Sequence, residues 1–253
     1  MTVVCSQVVD RIQHIHLNRP EKRNAIGYET LAELRRLLPT GEERALRGVV
    51  LSGHGEHFSA GADLQDLTGT AADIAFDDEM EGVISRIDKS PVPIIAAVSG
   101  YCFGAAVDLV MACDVRIADH SAIFRVPAVH LGLLYNPAAI ARLHRVTPLD
   151  ALHRLFVLGA SFEAVDAKSA GLVSMLTQDS PRARAHELLS EGADPDPEAV
   201  AQTRQLIRAL SSGARLDDQH WASMRHRLLE SPSRKNRVAR AQKLKDGTDD
   251  NSG

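Results

Sequence analysis

The sequence predicts an α/β fold whose last third is helical, and two observations support this class. Apolar runs that suit buried strands alternate with amphipathic helical patterns through the first two thirds of the chain. From about residue 181 onward the pattern is helical alone. We therefore expect a core domain over residues 1–190 and a C-terminal helical region over residues 191–253.

Composition narrows the classes of function. The 253 residues are 44% hydrophobic and 25% charged, as in ordinary globular proteins. No apolar run reaches the length of a membrane span and no secretory signal is evident, so we expect a cytoplasmic protein without a membrane partner. A net charge of −4 gives no overall attraction to nucleic acid. Three widely separated cysteines suit a reducing compartment. No metal site is predicted, because His14 and His16 lack an evident third ligand.

The first third of the chain contains strand, helix and turn signals in alternation. The patterns predict, in order, a strand over residues 1–18, a helix over residues 28–38 and a strand over residues 46–52. A turn of small residues, Phe58–Leu64, follows the second strand. Residues 65–80 are polar with Thr, Gly and Ala, so they predict a mobile loop before a helix that begins at about Asp78.

The strongest local signal is a strand, a turn and a helix in direct succession. Residues 93–98 are apolar and rich in β-branched side chains, which predicts a buried strand. A glycine-containing turn follows, and the small residues from Gly104 to Ala106 begin a helical pattern. The N–H groups of a first helical turn have no partner inside the helix, and the helix dipole favours negative charge there. The turn therefore predicts an oxyanion site, with Asp108 beside it.

The rest of the chain continues the alternation before it becomes helical. The patterns predict strands over residues 114–118 and 122–126, a loop over 129–137, helices from 138 and over 149–158, a short strand over 172–176, and helices thereafter, including 220–229. Together these elements complete an α/β core that precedes a helical end.

The two small-residue turns resemble the oxyanion segments of the enoyl-CoA hydratase/isomerase, or crotonase, superfamily. The first is Phe58–Leu64, and the second runs from Ala97 to Ala118, in the family's order. The resemblance extends from Ile12 to about Val173. It implies a crotonase-like spiral of ββα units with a helical C-terminal trimerisation region, and a homotrimer or hexamer.

The resemblance also implies a ligand and its contacts. The ligand and partner would be an acyl-CoA thioester of fatty acid metabolism, and no separate cofactor is expected because the substrate carries the coenzyme A. The thioester oxygen would lie between the backbone N–H groups of Ala60 and Ala105. The positions that match CoA-binding residues are Lys22, Arg23, Ala25, Ala62, Asp63 and Leu64.

The sequence departs from the family at one of its two catalytic carboxylates. Hydratases of the family carry two glutamates, and here the matching positions hold Asp108 and Ala128. Two carboxylates are needed to orient one water and move its proton. Ala128 therefore argues against efficient hydration. The first hypothesis is an acyl-CoA-processing lyase or isomerase that stabilises a thioester enolate and uses Asp108 as its acid and base.

Two alternatives stay open. Tyr135 followed by Asn136 is similar to the methylmalonyl-CoA decarboxylase branch, whose tyrosine reaches the substrate carboxylate. A decarboxylase of malonyl-type acyl-CoA, with Tyr135 as a catalytic residue, is the first alternative, since the oxyanion hole alone stabilises the enolate that remains when CO₂ leaves. The second is a non-catalytic acyl-CoA-binding member of the family, which Ala128 suggests.

Overall fold

The computed structural model describes residues 2–41, 45–213 and 215–249, with side chains up to residue 242. The chain divides into two compact units, Met1–Ala193 and Asp194–Gly253. The first unit contains the strands and seven of the helices in the described part of the chain, and the second is helical.

Two sheets form the framework of the first unit. The strands are β1 (Val4–Val9), β2 (Ile12–Leu17), β3 (Gly48–Gly53), β4 (Ile94–Val98), β5 (Tyr101–Phe103), β6 (Val115–Ala118), β7 (Ile123–Arg125), β8 (Phe162–Glu163) and β9 (Met175–Leu176). The larger sheet has the order β1-β2-β3-β4-β6-β9 and the smaller one the order β5-β7-β8. Only the β1–β2 and β7–β8 pairs are antiparallel. Every residue of β4 is buried, as its continuous apolar run predicts.

Helices connect and cover these strands. In the first unit they are α1 (Tyr28–Leu37), α2 (Ile74–Lys89), α3 (Ala105–Ala112), α4 (Pro137–His144), α5 (Leu149–Leu152), α6 (Ala164–Ser169) and α7 (Pro181–Ser190). The second unit consists of α8 (Pro197–Ser211), α9 (Asp218–Leu229) and α10 (Pro232–Asp249). Helix α3 is buried almost throughout, so its polar residue Asp108 is carried into the interior. In the described part of the chain, no helix combines the length and apolarity that crossing a membrane requires.

The N-terminal segment is a hairpin, so the prediction of one strand over residues 1–18 was wrong. Strands β1 and β2 are joined by a two-residue turn in which Asp10 and Arg11 have φ values of +50° and +64°. Such left-handed turns match the twist of a hairpin, and they usually contain Gly or Asn. The Asp-Arg pair lacks that signal, and the alternating pattern passes through it.

The stretch predicted as a loop over residues 65–80 contains the start of a helix. A 3₁₀ turn over Ala71–Asp73 leads directly into α2, which begins at Ile74 rather than near residue 78. The Thr70 hydroxyl accepts a hydrogen bond from the Ala72 N–H, and the Asp73 carboxylate accepts from the Thr68 N–H at 2.7 Å. These local bonds order a segment whose composition is typical of a loop.

Candidate active site

The two small-residue turns meet because the strands that precede them are parallel neighbours. Strands β3 and β4 pair in parallel, so both chains emerge at the same edge of the sheet. Beyond that edge the Ser59 N–H donates to the Tyr101 carbonyl at 2.8 Å, and the Phe103 N–H donates to the Ser59 carbonyl at 3.0 Å. The first turn is thus bonded directly to β5, which leads into the second turn.

Glycine at position 61 permits this close approach. Gly61 has a φ of +93°, and a Cβ at this position would lie 2.6 Å from the Phe103 carbonyl oxygen. Any side chain would push the two turns apart. Gly104, in the second turn, also has a positive φ, of +50°. Both turns therefore depend on glycine. Gly61 provides the space for the Phe103 carbonyl, and Gly61 and Gly104 both adopt a positive φ.

The hydrogen bonds of the first turn correct the prediction that Ala60 supplies an oxyanion donor. The Ala60 N–H already donates to the Arg23 carbonyl at 2.9 Å. The Asp63 N–H donates to the Ile26 carbonyl at 2.8 Å. The Ala62 N–H, between them, donates to no residue that the structure describes. Among the described residues, an unpaired backbone donor of this turn therefore lies two residues further along than the sequence motif indicated.

The second turn retains the donor that was expected of it. Ala105 is the first residue of α3, and its N–H has no acceptor within the described ranges of the chain. Gly104, just before it, is fixed by a 2.8 Å hydrogen bond from its N–H to the Arg125 carbonyl. Ala62 and Ala105 both line the same cavity. Two residues with unpaired backbone N–H groups therefore line one cavity.

This cavity has a volume of about 590 Å³ and a largely apolar wall. Its apolar lining includes Leu64, Leu67, Ile74, Phe76, Met80, Leu131, Leu133 and Leu134. Three carboxyl groups also line it, those of Asp73, Asp77 and Asp108. No Lys, Arg or His stands among the described residues of the lining. Such a space suits an uncharged hydrocarbon chain rather than an anionic one.

Asp108 is the most deeply buried carboxyl group of the cavity. It lies in the first turn of α3, three residues after Ala105, and its residue is only 3% exposed. Burial raises the pKa of Asp108 to about 7, against the opposing effect of the Arg142 charge. The group can therefore take up or release a proton near neutral pH.

Arg142 of α4 forms an ion pair with Asp108. Its Nε atom lies 3.2 Å from Oδ1 of Asp108, and its terminal nitrogen lies 3.0 Å from a carboxylate oxygen of Glu81. The distance between Arg142 and Asp108 is that of an ion pair. The two groups are not aligned for a hydrogen bond, because neither Nε of Arg142 nor Oδ1 of Asp108 has a hydrogen-bond partner among the described residues. Arg142 is thus shared between two carboxylates, which limits how far it lowers the pKa of Asp108.

Tyr135 lies in the cavity lining, but its hydroxyl is already engaged. The O–H donates to the Gly104 carbonyl at 2.9 Å, and the ring packs against Phe156 with centroids 5.3 Å apart. Burial raises the pKa of Tyr135 well above its usual range, so the hydroxyl stays protonated. The contact ties Tyr135 to the second turn rather than leaving its O–H free to meet a substrate carboxylate.

Ala128 and Asn136 form a part of the cavity wall that has no carboxyl group. Ala128 is buried and lines the cavity, so this part of the wall offers only a methyl group. Asn136 also lines it, and its side chain accepts a hydrogen bond from the Ala138 N–H at 2.8 Å as the N-cap of α4. Neither residue supplies a carboxyl group beside Asp108.

The residues predicted to bind CoA cluster around the first turn. Lys22 donates to the Gln65 side chain at 2.6 Å and lies 3.5 Å from the Asp63 carboxylate. Asp63 also pairs with Arg19 at 2.8 Å, so its side chain braces the turn. Ala62 and Leu64 line the cavity, and Leu64 is 66% exposed. The Arg23 carbonyl also accepts from the Ala60 N–H, so the structure places Lys22 and Arg23 beside the first turn.

Asp77 is the residue that sequence reasoning missed. It was placed in the expected loop, whereas it lies on α2 and lines the cavity. The spacing of Phe76, Met80, Val83 and Ile87 would have indicated the helix, but the polar residues before them obscured its start.

Among the described residues, no group of three His, Cys, Asp or Glu side chains is arranged to hold a metal ion.

We predict that Asp108 titrates near pH 7. The substitution Arg142→Gln should raise the pKa of Asp108 further, because the guanidinium of Arg142 favours the ionised form of the Asp108 carboxyl group. The folded pKa exceeds the ordinary value of 3.8, so the folded protein holds a proton that the unfolded chain releases. The contribution of Asp108 to stability is then greatest at acidic pH and declines by up to about 4 kcal/mol as pH rises to about 7. The ¹³C chemical shift of the Asp108 carboxyl group, measured by NMR as a function of pH, tests the predicted pKa values of the wild type and of Arg142→Gln. Arg145→Gln, at an exposed site, is the control and should leave the midpoint unchanged.

Comparisons with known proteins show the family of the chain. The sequence model of the family described as enoyl-CoA hydratase/isomerase matches residues 8–244. The mitochondrial Delta(3,5)-Delta(2,4)-dienoyl-CoA isomerase of Mus musculus is 34% identical over 183 residues, which cover 66% of this chain and 56% of that enzyme. The match thus spans little more than half of that relative. The 2,3-dehydroadipyl-CoA hydratase of Escherichia coli strain K12 is 30% identical over 200 residues, with 78% of each chain covered.

Solved structures share the fold over nearly the whole chain. A protein from Hyphomonas neptunium assigned to the enoyl-CoA hydratase/isomerase family superimposes with a TM-score of 0.86 at 27% identity, covering 95% of both chains. An enoyl-CoA hydratase from Thermoplasma volcanium gives a TM-score of 0.83 at 25% identity, covering 95% of this chain and 97% of that one. The predicted crotonase-like α/β fold is confirmed, and the chain belongs to the enoyl-CoA hydratase/isomerase (crotonase) family.

Proposed function

We propose that this protein is an isomerase that moves a double bond along the acyl chain of an unsaturated acyl-CoA thioester. The observation that carries the proposal is the position of Asp108, a buried carboxyl group three residues beyond the unpaired amide of Ala105, in an apolar cavity. A proton acceptor beside an oxyanion site is the arrangement needed to form an enolate and return its proton elsewhere.

The backbone amides of Ala62 and Ala105 would hold the thioester oxygen. Proton removal from C2 places negative charge on this oxygen, and donors that are already oriented stabilise that charge without reorganising. Each donor of this kind contributes about 3–4 kcal/mol to the transition state. Because only backbone N–H groups act, alanine side chains at both positions are compatible with the role.

Asp108 would then move the proton. A base works best when its pKa lies near the working pH, because it is then ionised often enough and still basic enough. Burial raises the pKa of Asp108 to about 7, which meets this condition. Lys22, Arg23 and Ala25, in the segment beside the first turn, would contact the nucleotide part of coenzyme A.

The other candidate activities have less support. Hydration needs two carboxylates on one water, and Ala128 presents a methyl group where the second would be. Decarboxylation of a malonyl-type ester needs a place for a substrate carboxylate. The cavity lining has carboxyl groups and no cation among its described residues, and the Tyr135 hydroxyl donates to Gly104. A protein that only binds acyl-CoA does not need a carboxyl group that titrates near neutral pH, so the pKa of Asp108 argues against binding without catalysis.

The isomerase proposal predicts conversion of 3-enoyl-CoA and 3,5-dienoyl-CoA esters to conjugated 2-enoyl products, measured by absorbance. Asp108→Asn should lower kcat by about 10²-fold or more, because the proton acceptor is lost, with little change in KM. Asp150→Asn, an exposed change of the same chemistry on α5, should keep wild-type turnover. Unchanged kcat in Asp108→Asn contradicts the mechanism. Faster hydration of crotonyl-CoA, or CO₂ release from malonyl-CoA, would favour the alternatives.

The donor assignment predicts different effects of removing two neighbouring N–H groups. Lactic acid incorporated at position 62 replaces the amide of Ala62 by an ester, and kcat should fall by about 10²–10³-fold. The same replacement at position 60 removes the donor to the Arg23 carbonyl, so it should lower the melting temperature and leave kcat within a few-fold of wild type. The reverse pattern would restore Ala60 as the donor.

We also propose that the protein is a homotrimer or hexamer. The second unit carries apolar side chains that stay exposed in the single chain, including Ile207 at 56% and Leu210 at 57%. Exposed apolar residues grouped on one element suit a protein interface.

Sedimentation velocity at micromolar concentration should therefore give a trimer or hexamer. Ile207→Asp should shift the distribution towards monomer, because a charge would be buried at the interface. Gln205→Asp introduces the same charge on another side of α8 and serves as the control. A monomeric wild-type protein at this concentration would refute the assembly.

A further inference from the structure

One face of helix α2 forms a wall of the cavity and brings a carboxyl group to it. The residues of α2 that line the cavity recur at helical spacing and are Ile74, Phe76, Asp77 and Met80. Three of them are apolar and suit a hydrocarbon chain. Asp77 therefore stands among the side chains that would contact the acyl group.

Asp77 has no structural partner that would explain it. The nearby Asp73 carboxylate also lines the cavity, but it accepts hydrogen bonds from the N–H groups of Thr68 and Gly69 and orders the turn before α2. These bonds lower the pKa of Asp73, so that carboxylate stays ionised. Asp77 forms no hydrogen bond or ion pair with any residue that the structure describes. Its carboxyl group is free to meet a ligand.

The surroundings of Asp77 raise the pKa of its carboxyl group. Partial burial, followed by the neighbouring charges of Asp78, Glu81 and Asp73, raises the pKa of Asp77. The Asp77 charge also raises the pKa of Asp108, so the two groups lie within electrostatic reach of each other. Each carboxylate, when ionised, therefore favours the protonated form of the other.

A shift of a double bond needs proton transfer at two separate carbons. The proton leaves C2, beside the thioester, and a proton arrives at a carbon further along the chain. Asp108 lies near the oxyanion donor Ala105, and Ala128 leaves the facing wall without a proton donor. Asp77 stands on the apolar wall where the distal carbons would lie.

We propose that Asp77 is a second catalytic residue, the acid that delivers a proton to the distal carbon of the acyl chain. This inference rests on the proposed isomerase function. The Asp108 carboxylate takes the proton from C2, and the C–H electron pair forms the enolate. The enolate electrons then move along the conjugated chain, and the distal carbon forms a bond to the proton of the Asp77 carboxyl. Asp108 is left protonated and Asp77 ionised, and proton exchange with water restores both.

The experiment separates the two proton transfers. Wild type, Asp77→Asn and Asp78→Asn are incubated in D₂O with a 3,5-dienoyl-CoA ester. Proton NMR follows exchange of the C2 hydrogens, and absorbance follows formation of the conjugated product. Asp77→Asn should keep C2 exchange within a few-fold of wild type while product formation falls by about 10²-fold or more. Asp78→Asn removes a neighbouring carboxylate that lies outside the cavity lining but raises the pKa of Asp77. It should keep C2 exchange at the wild-type rate and lower product formation by no more than a few-fold.

Other outcomes overturn the proposal in distinguishable ways. Equal product formation by Asp77→Asn and Asp78→Asn removes Asp77 from the chemistry and leaves the isomerase function standing. Loss of exchange and conversion together in Asp77→Asn, at an unchanged melting temperature, assigns Asp77 to binding instead. Partial recovery in Asp77→Glu supports the acid role, since a carboxyl group returns. Absence of both signals in wild type is failure of the proposed function itself, and the role of Asp77 fails with it.

Discussion

The approach of one backbone to another at Gly61 is the contact on which the candidate site depends. The Phe103 carbonyl occupies the space that a side chain at position 61 would need. This contact, with the hydrogen bonds between Ser59 and β5, keeps two turns from separate strands in register. The amides of Ala62 and Ala105 open into one cavity because that register is fixed. Parallel pairing of β3 and β4 delivers the turns to the same edge, and glycine allows them to meet.

The second constraint is electrostatic. Helix α3 carries Asp108 into an apolar interior, where an isolated carboxylate is costly, so the group keeps a proton to higher pH. Arg142 reduces that cost only in part, because Glu81 shares its guanidinium. The arrangement leaves Asp108 neither permanently ionised nor permanently neutral. That balance between burial and partial compensation suits a group that must alternate between two protonation states.

The sequence was sufficient for the fold and for the position of Asp108, because small-residue turns and apolar strands are local signals. The sequence motif placed a free backbone donor at Ala60, but the N–H of this residue donates to the carbonyl of Arg23, from a distant loop. Only the hydrogen bonds of the folded chain show that the Ala62 N–H is left without an acceptor among the described residues. Asp77 was missed for a related reason. Side chains order the segment before α2, and composition alone does not reveal such bonds.

The hydrogen bond from Tyr135 to the Gly104 carbonyl has an electronic consequence. The carbonyl of Gly104 and the N–H of Ala105 belong to the same peptide group. A donor on the oxygen of a peptide draws electron density towards that oxygen and makes the N–H at the other end more acidic, so linked hydrogen bonds strengthen one another. In the proposed reaction, Tyr135 would therefore assist the thioester oxygen without contacting it, because it polarises the peptide unit whose N–H would bind that oxygen.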